Sequence, residues 1–297
     1  MMPNPPHILI FGLGNDCAQS ALEYLKIIFP KALFSGWTNH PENIPPSLHS
    51  FCQKIDVGDL NHLQEKNLFN GYNLIIFTPP ARFLPKILER SHCPIVALGS
   101  TRKYTQWPDS YALEVLKAER LLLKTNRPSF FLHPTMIFGD NNNQNISKLA
   151  KIVQKFKILP LPQGGKNLIQ PIHYQDVGKS IAKAGECLLK QRIQKPESLI
   201  IAGKESYTYK EVILFLSNAQ KLSQRFIVPL PLWLLLPGSK LLKHLGTLIP
   251  KYASLFPTPQ AIRRLTEDKH FSISEMEATL GFSPQSLTLE NWQKKIC

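Results

Sequence analysis

Gly12 and Gly14 stand in "HILIFGLGNDC", directly after four apolar residues and before a helical pattern. Glycine at 12 lets the chain turn tightly out of a strand, and glycine at 14 lets its backbone approach an anion closely. Asn15 and Asp16 open the helix that follows, whose first turn offers unpaired N–H groups. With Leu13 between the glycines, this strand–turn–helix matches a pyrophosphate cradle. The third glycine of a G-x-G-x-x-G fingerprint is replaced by Cys17. That glycine serves close helix–strand packing, and Cys17 and Ala18 are small enough to permit it. Thr38, Asn39 and His40 close the second apolar run, where a carboxylate would hold a ribose 2′-hydroxyl or a basic residue a 2′-phosphate. With no acid at these three positions the loop favours NADP over NAD, and the lack of an Arg keeps that preference slight.

The elements that must position such a loop follow from periodicity. Apolar runs at 7–11, 32–37, 73–77, 94–99 and 129–134 alternate with helical patterns near 15–28, 59–69, 80–91 and 110–126. Unbroken apolar strands separated by helices predict an α/β, doubly wound parallel sheet of Rossmann type, covered on both faces. After Gly139 the pattern loosens. It gives a helix (144–156), an apolar-proline segment (158–162), a strand leading into a helix entered near Asp176, a strand at "SLIIAG" and a helix at 208–219. Two short helices near 258–265 and 273–280 close the chain. Residues 1–160 are expected to form an NAD(P)-binding domain. Residues 161–297 are expected to supply the remaining sheet and helix elements, interleaved with a small C-terminal α+β substrate lobe.

Lys and Arg outnumber Asp and Glu by 35 to 21, a formal net charge of +14, which suits an anionic small-molecule substrate. The basic residues are scattered and form no block with aromatics, so nucleic acid is not the expected partner. The five cysteines form no C-x-x-C pair, so no metal site is expected, and dispersed thiols suit a reducing compartment. "MMPNPPH" lacks the basic flank and apolar core of a signal peptide, so a cytoplasmic location is expected. The stretch around 229–245, with "PLWLLLPGSKLLK", is too interrupted by Pro and Lys to span a bilayer but suits peripheral membrane contact. The oligomeric state is left open.

By "ALGSTRKYT", "SYALEVLKAERLLL", "LHPTMIFGDNNNQNI" and "LIQPIHYQDV", in that order and spacing, the chain resembles the extended or atypical short-chain dehydrogenase/reductases. This superfamily includes the NAD(P)-dependent epimerases and dehydratases of nucleoside-diphosphate sugars. The resemblance covers nearly the whole chain, including "SISEMEATLGFSP" near its end. It implies that Asp59 and Leu60 of "IDVGDL" contact adenine. Thr78, Pro79 and Pro80 then flank the cofactor after the fourth strand, and Pro134 and Thr135 meet it after the sixth. It implies hydride transfer on a phosphorylated, nucleotide-sugar-like substrate, with a Ser, a Tyr and a Lys handling the proton. Ser100 takes the hydroxyl position and Tyr111 the tyrosine position, eight residues before Glu119; Tyr104 is a rival donor.

Several residues depart from the family pattern. The lysine position is Val115, and the nearest candidate, Lys117, lies about 240° around an ideal helix from Tyr111. Lys117 serves the tyrosine only if the helix is irregular; otherwise Lys117 and Glu119 form a solvated face. Ile169 replaces a diphosphate-binding Arg, and His133 replaces the Arg of "LRP", while Arg263 and Arg264 lie near a second phosphate-binding position. Asp176 reads as a helix cap and His173 as a buried structural histidine. A non-catalytic NAD(P)-binding sensor or assembly protein is therefore the alternative to the enzyme.

Overall fold

The structure, a computed structural model of the chain, describes residues 5–63, 69–139, 146–239 and 257–293. Its strands are β1 (His7–Phe11), β2 (Leu33–Thr38), β3 (Cys52–Val57), β4 (Leu74–Phe77), β5 (Ile95–Leu98), β6 (Ser129–Pro134), β7 (Ile137–Phe138), β8 (Ile158–Pro162), β9 (Leu168–Ile169), β10 (Ile172–His173), β11 (Pro196–Ile201), β12 (Tyr207–Thr208) and β13 (Phe226–Leu230). Seven of them form one sheet in the order β11-β6-β5-β4-β1-β2-β3, and every neighbouring pair is parallel. The helices are α1 (Asp16–Ile28), α2 (Pro46–His49), α3 (Leu84–Leu88), α4 (Ser110–Leu123), α5 (Ile146–Lys155), α6 (Tyr174–Leu189) and α7 (Tyr209–Ala219), with shorter ones at Pro259–Arg264, Ser274–Leu280 and Leu289–Gln293.

β1 shows why the sheet needs cover on both sides. Ile8 and Ile10 point into a core shared with Ala21 and Leu22 of α1 and Val177 of α6. Leu9 and Phe11 point into a second core with Leu84 of α3 and Val115 of α4. Asn15 caps α1, its side chain accepting from the Cys17 N–H, and Ala18, Ala21, Leu22 and Leu25 form its buried stripe. α1 and α6 pack closely because Gly178 faces Ser20, where a Cβ would stand 2.5 Å from the serine side chain. Cys17 and Ala18 are buried at the loop, as the small-residue reading expects.

The strand succession leaves β1 in both directions, to β2 and to β4, and a crevice opens at that crossover outside the C-terminal strand ends. A third core, around Phe138, Val153, Leu159, Tyr209 and Leu216, holds α5 and α7 with the parallel pair β8–β13.

Four expectations are corrected. Cys52–Val57 is an edge strand that periodicity missed, because its outer residues Gln53 and Lys54 are exposed and polar. The helix expected at 59–69 is a 3-10 turn at Leu60–His62; residues 64–68 lie outside the described ones. The helix expected at 80–91 is a 3-10 turn at Ala81–Phe83 followed by α3, which begins beside Pro85. Asp176 is not the cap of α6: the helix enters near it as expected, at Tyr174, but His173 caps it, its Nδ1 accepting from the Gln175 N–H. Asp176 instead accepts from the Gln285 backbone and side chain, tying down the C-terminal segment.

Candidate cofactor and active site

Gly12 sits at φ +82°, and a Cβ there would overlap Thr78 Oγ1, which donates to the Phe11 carbonyl at 3.0 Å. The Gly12 and Leu13 N–H groups both donate to the Trp37 carbonyl, so the turn is clamped onto the end of β2. Gly14 is close-packed too: a Cβ would stand 2.8 Å from both the His40 carbonyl and Thr38 Oγ1. A cleft of about 240 Å³ opens at this crossover. Gly12, Thr38, Asn39, Asp59, Leu60, Pro79 and Pro80 line it, so the structure brings together residues from four separate strand ends. Trp37, Arg82 and Phe83 also line it, and sequence reasoning missed all three.

Other predicted residues contribute differently. The Leu13 side chain is in the core, leaving only its backbone at the loop. Asn15 spends its side chain as the α1 cap, and Asp16 is buried in the first turn. His40 pairs with Glu42 at 2.9 Å on the surface. Asp59 turns its carboxylate onto Asn61. Pro134 ends β6 and accepts from the Thr101 hydroxyl. The Thr135 hydroxyl is buried without a protein partner beside it. The clamped glycine turn and the crossover cleft together fit a bound dinucleotide.

Ser100 follows β5 and caps a 3-10 turn, Thr101–Tyr104, its Oγ accepting from the Arg102 N–H. Tyr111 lies in the first turn of α4, and the Ser100 hydroxyl is near enough to act on its phenol. Burial raises the Tyr111 phenol above its ordinary value near 10, outweighing the lowering effects of the Arg102 charge and the Ser100 hydroxyl. Arg102 supplies the cation beside the tyrosine, its guanidinium 5.5 Å from the ring centre. The short 3-10 turn folds this residue back, which spacing along α4 could not reveal.

Lys117 is not part of this site. α4 is regular, so Lys117 is exposed on the outer face in a groove with Leu113 and Arg120, while Val115 is fully buried against Phe11 and Phe131. Tyr104 is half exposed and packs against Phe271. Glu119 is not solvated either: α4 packs against β6 and β11, and Glu119 lies beneath Ser100 with Lys103, His133 and Ser198 as partners. His133 Nδ1 accepts from the Ser100 N–H, so Nε2 carries the proton and donates to Glu119 at 3.1 Å. Burial pushes the Glu119 carboxyl up, but hydrogen bonds from His133, Lys103 and Ser198 overcome it and hold the group at about 2.

Positive charge collects beside the pair. Asp109 caps α4 and accepts from both Arg102 and Arg264, the latter at 2.9 Å. Glu267 accepts from Thr105 and Gln106, and Arg263 stacks over Trp107, so the segment after Ser100 is clasped by residues 263–267. Lys269 is close by, and burial lowers its amine to about 8. Ile169, at the expected diphosphate-Arg position, is fully buried in the third core.

No family model and no curated protein sequence matches the chain. Solved structures do match. A nucleoside-diphosphate-sugar epimerase from Staphylococcus aureus is 15% identical over 96% of this chain and 99% of its own, with a TM-score of 0.68. A UDP-glucuronic acid 4-epimerase from Bacillus cereus, in complex with UDP-glucuronic acid and NAD, is 13% identical over 97% and 96%, with a TM-score of 0.68. An NADPH-dependent quinone oxidoreductase from Escherichia coli, complexed with NADPH, is 14% identical over 94% and 96%, with a TM-score of 0.66. At such identity the likeness is one of fold. Sheet order, crossover cleft and neighbours agree that the chain has a Rossmann-like α/β fold shared with these enzymes.

Proposed function

We propose that the protein binds NAD(P) at the β1/β4 crossover and catalyses hydride transfer at an oxygen-bearing carbon of an anionic, nucleotide-sugar-like substrate. The reaction is of the epimerase, dehydratase or reductase type. The observation that carries this reading is the Ser100–Tyr111 pair, which follows β5 at the same end of the sheet as the cleft. The Gly12–Gly14 turn, Thr38–His40, Asp59–Leu60, Pro79–Pro80 and Thr135 hold the dinucleotide, whose nicotinamide supplies or accepts the hydride. Arg82 in the cleft and the absence of a carboxylate at 38–40 support NADP over NAD.

Tyr111 keeps its proton at neutral pH because it is buried, so it acts as the proton donor to the substrate oxygen when a carbonyl is reduced. Ser100 donates a second hydrogen bond to that oxygen, and the Arg102 charge stabilises the tyrosinate left behind. Arg102, Arg264 and Lys269 favour a substrate bearing phosphate.

One observation favours the non-catalytic reading: the lysine position is Val115, sealed in the core. The deciding experiment titrates the purified protein with NADP(H) and NAD(H), then follows nicotinamide absorbance with nucleoside-diphosphate sugars. Turnover lost in Tyr111→Phe, with cofactor binding unchanged, supports the enzyme. Cofactor binding without turnover in either protein favours the sensor or assembly role, and no binding of either dinucleotide refutes both.

A further inference from the structure

The parallel pair β8–β13 has one face packed on the third core and one face uncovered. Leu159 and Leu161 point inward, while Ile158 and Pro160 point outward. Phe226 pairs with Ile158 and Val228 with Pro160, so the outward residues of both strands stand side by side. Ile158 is 62% exposed and Phe226 50% exposed. The chain leaves this face directly into a helical stretch, 232–239, where Trp233 is 74% exposed and Leu234 45% exposed. A row of large apolar side chains ending in a bare tryptophan is a costly surface to leave in water.

The charge around it has one sign. Residues 146–166 and 218–239, which build the face, contain no Asp or Glu. They carry Lys151, Lys155, Lys157, Lys166 and Lys221, all exposed. A protein partner with an apolar patch alone would not call for this one-sided basic rim, whereas an anionic lipid surface answers both features. Trp suits the headgroup boundary, apolar side chains enter the acyl edge, and lysines meet the phosphates. No described helix is long and apolar enough to cross a bilayer, so contact is with its surface.

We propose that the outer face of β8–β13, with Trp233 and Leu234, docks on the surface of an anionic phospholipid bilayer. Docking there carries the substrate lobe to the membrane, whichever reading of the Ser100–Tyr111 site holds.

The test is co-sedimentation of the full chain with vesicles of phosphatidylcholine alone and of equal parts phosphatidylcholine and phosphatidylglycerol. Binding is expected only to the anionic vesicles, weakening as salt is raised, since the charge component is screened within a Debye length. Trp233→Glu and the double variant Lys155→Glu/Lys157→Glu should each lower binding by at least about tenfold. Leu113→Glu, on the distant outer face of α4, should leave it unchanged. Circular dichroism and cofactor titration establish that each variant is folded. No binding of the wild type to anionic vesicles at physiological salt overturns the proposal, as does equal binding by folded Trp233→Glu. A lipid-free dimer that dissociates in Trp233→Glu also overturns it, by assigning the face to a second copy of the chain.

Discussion

Replacing Glu119 by Gln removes one charge from beneath Ser100 while keeping the side chain's shape and one acceptor. The structure sets the size of the effect. The folded carboxyl sits at about 2 against an ordinary 4.5, and burial, which raises it, is outweighed by hydrogen bonds from His133, Lys103 and Ser198. At about 1.4 kcal/mol per pH unit, that gap stabilises the fold by about 3 kcal/mol at pH 7. A second route gives the same scale. The Lys103 side chain is only 6% exposed, and leaving a buried charge unpaired costs about 3–5 kcal/mol. Because the folded value is depressed, the stabilisation is complete above pH 4.5 and fades as pH falls towards 2. Urea unfolding followed by circular dichroism should therefore find the variant about 3 kcal/mol less stable at pH 7, with about half that difference at pH 3. A loss under about 1 kcal/mol at pH 7, or a difference that does not shrink at pH 3, would refute the buried network.

Arg102→Met removes the charge that lowers the Tyr111 phenol, so the alkaline fall of carbonyl reduction should move to higher pH while Lys117→Ala leaves the profile unchanged. A profile that follows Lys117 instead would overturn the placement of α4. Gly12→Ala meets Thr78 in a left-handed backbone position, which costs about 1–3 kcal/mol and should abolish NADP(H) titration in protein that still folds. Retained cofactor affinity in that variant would count against the glycine turn as the cradle. Burial pushes the Cys52 thiol up to about 11, so a thiol reagent at pH 8 should label it slowly in native protein and quickly after urea unfolding. Fast labelling of Cys52 in native protein would contradict its burial.

The sequence by itself determined the sheet and the loop, because both are written in short-range patterns. Apolar runs of four to six residues can only be buried on two faces, and Gly12 is demanded by the turn that leaves β1. Lys117 stays a candidate partner of Tyr111 on spacing alone if the helix is irregular, and only the regular course of α4 in the fold turns it outward. What spacing cannot supply is the neighbour from another element. Glu119 looks like a surface partner of Lys117, yet α4 lies against β6 and β11, so it meets His133 and Ser198, 14 and 79 residues away. Arg102 looks like one scattered cation among many until the turn after Ser100 folds it over Tyr111. β3 is polar enough to pass for a loop and becomes a strand only because β2 offers it an edge. Periodicity reports which face of an element turns inward, whereas the charge that stands opposite depends on where distant elements meet, and only the folded chain decides that.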